Sequence, residues 1–177
     1  MTTLWTVGHW TWSQEEFLEL LAPDAIEQLV DVRALPGSRR SPQFDADRMQ
    51  TWLAAAGIDY RHDPDLTGRR RRQDVDPAIN AGWQNVSFKN YADHTLGPAY
   101  RSAIERLELA ATERRTVIMC GEPMPWRCHR LLISNTVVAR GGVVWHLMGR
   151  APRQPHELGR WGATPQVGPG GHVTYPS

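Results

Sequence analysis

Both cysteines of this chain fall in one short stretch, Val117-Ile118-Met119-Cys120-Gly121-Glu122-Pro123-Met124-Pro125-Trp126-Arg127-Cys128-His129-Arg130. Two thiols, a carboxylate and the His129-Arg130 pair could together support nucleophilic, acid–base or metal chemistry. A short apolar run ends on Cys120, a proline-broken loop follows, and Cys128-His129-Arg130 opens a predicted helix. Reactive groups at a strand-to-helix crossing point to a site, because an α/β sheet exposes backbone and helix N-termini to ligands there. Cys120, facing that helix N-terminus near Arg127 and Arg130, is the expected nucleophile or ligand. Glu122, set among proline and tryptophan, is the expected general base with a raised pKa, and His9 and His62 are its rivals.

Each of these roles has a plainer competitor. Cys120 could be a small buried residue at a strand end. The loop lacks the amide cradle of a cysteine–arginine oxyanion loop, since Pro123 and Pro125 each remove a donor. Cys120, Cys128 and His129, with His9, are the weak candidates for zinc or iron. Their spacing is not that of a short metal knuckle and no second cysteine pair exists, so no cofactor is predicted and a divalent metal stays a secondary alternative. A reversible disulfide across the loop is a further alternative. Arg127, His129 and Arg130 suit an anion cradle at the helix start. Asp31 is a catalytic candidate placed beside Arg33, which is either a second anion clamp or half of a structural ion pair.

Arginine supplies nearly all the positive charge: of 20 basic residues only Lys89 is a lysine, and the net charge is +1. That sum argues against a bulk polyanion binder, but Arg39-Arg40 and Arg69-Arg70-Arg71-Arg72 form local patches able to hold phosphates. With Trp83, Tyr91 and Trp126 as stacking faces, the second patch could line a groove for a nucleotide or single-stranded nucleic acid. A solvated loop offset by Asp63, Asp65, Asp74 and Asp76 is the competing reading.

The elements that must position these groups follow from hydrophobic period and caps. Strands are expected at Leu4–Val7, Ile26–Val32, Ile58–His62, Thr116–Met119 and Val143–Leu147. Ser13 and Glu16 form a capping box before Phe17, Leu18, Leu20 and Leu21. Further helices are expected around Met49–Ala56, stopped by Gly57, from Pro98 to about Ala111, and over Leu131–Val138. Residues 63–95 hold no sustained period and predict a long loop with one or two short helices. Residues 149–177, rich in glycine and proline, predict an irregular, partly disordered tail after a single domain over 1–148. The N-terminus shows no signal-peptide pattern and no run is long enough to span a membrane. With no disulfide framework, a cytoplasmic compartment is expected.

Alternating strands and helices imply a three-layer α/β fold, Rossmann-like, with a mainly parallel sheet. The strand ends then carry Gly8-His9, Asp31 with Arg33, His62-Asp63, and Cys120 with Glu122 to one edge. The same residues carry a family likeness. Thr6-Val7-Gly8-His9, Leu29-Val30-Asp31-Val32-Arg33 with Pro36, Ser38, Arg39 and Arg40, Pro42-Gln43-Phe44, Ser87 to Asp93, and Cys120 to Arg130 resemble the domain of unknown function 488 family from about residue 4 to about residue 147. The chain departs at Trp10, where that family usually has a small hydroxyl residue. The resemblance implies a small α/β fold and no settled activity. Three functions follow as expectations. The first is an enzyme acting on a phosphate-bearing substrate, a nucleotide or nucleic acid, with Arg33, Arg39, Arg127 and Arg130 holding the anion. The second is a non-catalytic nucleic-acid-binding module built on Arg69 to Arg72. The third is a thiol-redox or metal-binding protein. Neither the reaction class nor the oligomeric state follows from the sequence.

Overall fold

Alternating apolar positions build a sheet with two buried faces. The computed structural model describes residues 1–37 and 39–177; Ser38, one of the residues carrying the family likeness, lies outside them. Strands β1 (Thr3–Gly8), β2 (Gln28–Asp31), β3 (Asp59–His62), β4 (Thr116–Cys120), β5 (Val143–Leu147) and β6 (Gln154–Pro155) lie in the order β3-β2-β4-β1-β5-β6. The first five run parallel, and β6 is antiparallel to β5. Leu4, Val30, Ile118, Cys120 and Val144 point to one face, beneath α3 (Val86–His94), α4 (Pro98–Glu113) and α5 (Arg130–Ala139). Their odd-numbered neighbours Trp5, Val7, Leu29, Val117 and Met119 point to the other, beneath α1 (Gln14–Leu21) and α2 (Ala46–Ala55). This period-two alternation makes the fold the expected three-layer α/β arrangement.

Local signals set the helix ends. Ser13 Oγ accepts from the Glu16 amide at 3.0 Å while Glu16 Oε1 accepts from the Ser13 amide at 3.0 Å, so the capping box forms as expected. Gly57, at φ +77°, ends α2 in a conformation that a side chain disfavours. Pro98 occupies the first turn of α4, where its missing N–H costs nothing. No helix among the described residues is long and apolar enough to cross a membrane.

The tail differs from expectation in part. Most of its backbone is irregular, as expected, but it is docked: it adds β6 to the sheet edge and forms a small hairpin from β7 (Gln166–Val167) and β8 (Val173–Thr174). Val173 and Tyr175 are buried in the core beneath α5. Polar anchors complete the docking: the Tyr175 amide donates to Asn80 Oδ1 at 2.9 Å, and Asn135 Nδ2 donates to Tyr175 Oη at 2.9 Å. His156 bonds both His146, at 2.9 Å, and Asn135, at 2.7 Å. Burying Val173 is worth roughly 1.5 kcal/mol, and the satisfied polar anchors remove the penalty that burial would otherwise impose. Composition hid this because the partners are far away in sequence.

Burial holds both imidazoles neutral, pushing His146 down to about 3 and His156 down to about 4 from 6.5. The unfolded chain therefore binds more protons than the folded one below that ordinary value, so stability falls as the pH drops from 6.5 toward 4. The unfolding free energy is expected to decline by about 1.4 kcal/mol per pH unit for each histidine across that window. His156→Gln should make the decline shallower. Urea titrations across the window measure it, and parallel slopes for parent and variant would contradict the assignment.

Candidate active site

Four loops meet in a cleft of about 500 Å³ at the carboxyl ends of β1, β2 and β4. Its described lining includes His9, Arg33, Arg69, Cys120, Glu122, Arg127, Cys128 and His129, with Phe88 and Ser87 from α3 opposite. A slightly larger cleft of about 550 Å³, near Trp12, Glu16 and Arg150, has no thiol or imidazole among its described lining residues. The thiols and imidazoles therefore gather in the first.

Arg130 organises the floor. Its side chain is fully buried, yet it faces no carboxylate among its bonded partners. Nε donates to Cys128 Sγ at 3.3 Å, Nη1 to Thr6 Oγ1 at 3.1 Å, and Nη2 to the Glu122 carbonyl. An uncompensated buried guanidinium costs several kcal/mol, and the Cys128 thiolate is the available counter-charge. Burial opposes that thiolate, but a hydrogen bond from Cys120 and the Arg130 charge together hold Cys128 well below the ordinary thiol range. The N-terminus of α5 adds to this, since His129 caps it without a side-chain hydrogen bond and leaves its positive end toward Cys128.

The two thiols stand in different surroundings, and Cys128, read from the sequence only as a metal or disulfide candidate, is the one bonded to Arg130. Cys120 is 4% exposed, and burial followed by its hydrogen bond to Cys128 pushes its thiol well up. It stays protonated and donates to Cys128 across an Sγ–Sγ distance of 3.0 Å. Cys120 lies on a strand that ends inside the core, whereas Cys128 is half-buried in the cleft wall. Both are free cysteines.

His9 sits at the end of β1, stacked on Phe44 with ring centroids 4.6 Å apart. Burial lowers its pKa even though the Trp10 carbonyl, accepting from Nδ1 at 2.8 Å, works the other way. The imidazole is neutral with its Nε2 lone pair free of that bond. A Cβ at Gly121 would lie 3.2 Å from Nε2, so glycine there keeps the ring accessible. Gly8 is required more strictly, because a Cβ at that position would overlap the Glu122 carbonyl as the loop crosses over β1. Two of the three non-glycine residues with positive φ among the described residues, Trp10 and Arg69, adjoin this cleft. His129 is also held neutral by burial; its Nε2 donates to the Val32 carbonyl at 2.7 Å.

The remaining expected residues separate into two groups. Arg33 is 6% exposed and Arg127 is exposed, and both line the cleft; Arg69 stands exposed at its mouth. Glu122 lines it as well, although the buried network uses its carbonyl rather than its carboxylate. Asp31 lies elsewhere. It belongs to the odd-numbered face of β2, is fully buried, and is bound by the Arg33 amide, the Arg33 guanidinium and Tyr60 Oη. Arg130 is beneath the cleft rather than in its wall. Arg70 folds back on its own loop, donating to the Thr67 carbonyl at 2.9 Å, and exposed Arg39 is not among the described lining residues. Asp63, 2% exposed, pairs with Arg61 and Arg106, and His62 bonds the Arg33 carbonyl at 2.8 Å. Trp83 is a core residue, while Tyr91, also buried in the core, borders the cleft. No group of three or more His, Cys, Asp or Glu residues able to hold a metal occurs among the described residues.

A family model described as Domain of unknown function DUF488 matches residues 13–137. The chain belongs to that family. No curated protein and no solved structure matches it. The DUF488 match includes Cys120, Cys128 and Arg130 but excludes β1, β5 and the tail, which carry Thr6, His9, His146 and His156. His146, His156, Asn135 and Tyr175 had no sequence signal beyond polar residues interrupting apolar runs, and Thr6 had only its place in the family-like Thr6–His9 motif.

If Cys128 is the counter-charge to Arg130 in this DUF488 protein, Cys128→Ala should cost about 3 kcal/mol of stability at neutral pH. Cys120→Ala, which removes a neutral thiol, should cost about 1 kcal/mol. Chemical denaturation compares them, and equal losses would remove the charge-pair explanation.

Proposed function

We propose that the chain is an enzyme acting on a phosphate-bearing substrate, a nucleotide or a nucleic acid strand, with Cys128 as its nucleophile. Arg33 carries the proposal. Its guanidinium is nine-tenths buried in the wall of the thiolate cleft, and Nη1 has no hydrogen-bond partner among the described residues. A buried charged donor left unpaired is costly; Nη1 exposes almost no surface, so a small shift of the side chain toward the cleft would let an anionic oxygen complete it. Asp31 holds the other edge of that guanidinium and acts as its orienter. Arg127 and Arg69 add charge at the mouth.

The thiolate attacks phosphorus in the bound phosphoester: an S–P bond forms as the P–O bond breaks, and the leaving oxygen takes a proton from solvent. His9 Nε2, with Glu122 as the other carrier lining the cleft, then accepts a proton from the water that cleaves the S–P bond, releasing phosphate and restoring the thiolate. A groove of about 410 Å³ shares Ala34, Gly68 and Arg69 with the cleft and adds Arg70 and Arg71, which favours a substrate bearing more than one phosphate. The free thiols suit a reducing, cytoplasmic setting. A second reading, thiol–disulfide exchange, is favoured by the 3.0 Å approach of Cys120 to Cys128.

Alkylation of Cys128 by iodoacetamide, followed by peptide mass, tests these readings. Inorganic phosphate, a nucleoside monophosphate and a single-stranded oligonucleotide should each slow it. Arg127→Ala should weaken that protection about tenfold, the equivalent of one charge-assisted hydrogen bond. Lack of protection by all three probes would refute a phosphate site. Oligonucleotide binding that leaves alkylation unchanged would make the Arg69–Arg71 groove a non-catalytic binding surface. A reversible loss of two hydrogens without phosphate protection would select thiol exchange.

A further inference from the structure

Five hydrogen bonds connect the site to the C-terminal tail, and all of them run the same way. Arg130 Nη1 donates to Thr6 Oγ1 at 3.1 Å, and the Thr6 hydroxyl meets His146 Nδ1 at 2.6 Å. His146 Nε2 meets His156 Nδ1 at 2.9 Å, His156 Nε2 meets Asn135 Oδ1 at 2.7 Å, and Asn135 Nδ2 donates to Tyr175 Oη at 2.9 Å. With the Asn135 amide in this orientation, one proton placement satisfies every link. Asn135 presents its carbonyl oxygen, so His156 must carry its proton on Nε2. Its Nδ1 is then an acceptor, which fixes the His146 proton on Nε2 and leaves His146 Nδ1 to accept from Thr6. Thr6 is left with a lone pair toward Arg130.

We infer that His156, carried by the segment after β5, is a positioning residue for the Cys128 nucleophile, acting through His146, Thr6 and Arg130. This rests on the reading of Cys128 as the reactive thiolate. The bonds form a line of dipoles with their acceptor ends toward the guanidinium, and in a buried setting such a chain stabilises the cation at its head. Thr6 and His146 are fully buried, so water cannot substitute for a missing link. Trp161 closes the arrangement: its ring lies 5.7 Å from His146 and 5.9 Å from His156 by centroids, and 4.8 Å from Trp126 in the cysteine loop. Without His156, nothing holds His146 in the accepting tautomer. With its proton on Nδ1, His146 would donate to Thr6, whose oxygen would then accept from both His146 and Arg130 while its own hydrogen lost its acceptor. Thr6 would become a weaker acceptor for the guanidinium and loosen its hold beside Cys128.

The test is the pH midpoint of Cys128 alkylation in the full chain, with the site identified by peptide mass and folding checked by circular dichroism. His156→Leu, which breaks the chain, should raise the midpoint by about one unit, a tenfold fall in thiolate below it. Thr6→Val should raise it equally without touching the tail. His156→Gln, which can accept from His146 and donate to Asn135, should restore a midpoint near that of the parent. A purely structural role for His156 predicts lower melting temperatures with no shift in midpoint; that pattern in folded His156→Leu and Thr6→Val would overturn the inference. A parent midpoint at the ordinary thiol value would instead overturn the nucleophile reading itself.

Discussion

A guanidinium in the core with no carboxylate to meet it is the constraint around which this protein is arranged. Arg130 is fully buried among the Cys128 sulfur, the Thr6 hydroxyl and the Glu122 carbonyl. Guanidinium stays charged in proteins, so the fold must bring an anion to it or lose several kcal/mol. Placing that anion on a thiol has consequences on three sides. The loop must cross β1 closely enough to offer the Glu122 carbonyl, which is why residue 8 has no side chain. Cys120 must remain a thiol in order to donate to its neighbour. The strand beneath must offer an acceptor, which Thr6 supplies within an otherwise apolar run.

Period two explains why groups at one sheet edge do not all reach one site. Asp31 and Cys120 both end strands, β2 and β4, at the same edge of the sheet. Yet Asp31 shares its face with Leu29 and Cys120 with Ile118, so their side chains leave the sheet in opposite directions. Asp31 reaches the cleft only by holding Arg33, whose longer side chain borders it. A carboxylate two residues before an arginine is thus part of the site's support and not of its chemistry.

How much was legible depended on sequence distance. The capping box at Ser13, the stop at Gly57 and the alternation in the strands are local, and the fold followed from them. The cysteine loop was also visible, because Cys120, Glu122, Cys128 and Arg130 are neighbours in sequence. Their division of labour was not. Which sulfur ionises depends on which is deeper and which faces Arg130, and a span of nine residues does not encode that depth. The bond between Thr6 and His146 joins residues 140 positions apart, and the tail docks by similarly distant pairs. Glycine and proline gave the tail the composition of disorder, while its few large residues, Tyr175, His156 and Trp161, do the docking.

The way the thiolate is stabilised also shapes what the rest of the cleft can do. In a cysteine–histidine ion pair the imidazolium holds the thiolate, and the histidine is protonated before substrate arrives. Here arginine takes that part, and burial keeps His9 and His129 neutral. His129 spends its Nε2 proton on the Val32 carbonyl, and His9 its Nδ1 proton on Trp10. The His9 Nε2 lone pair is therefore available while Cys128 is already charged. In the proposed reaction nucleophile and base are thus prepared independently, which permits both at neutral pH. Arg33 reinforces this division: its charge, with that of Arg130, opposes protonation of His9, while Arg33, Arg69 and Arg127 line a cationic wall open to an incoming anion in the proposed reaction.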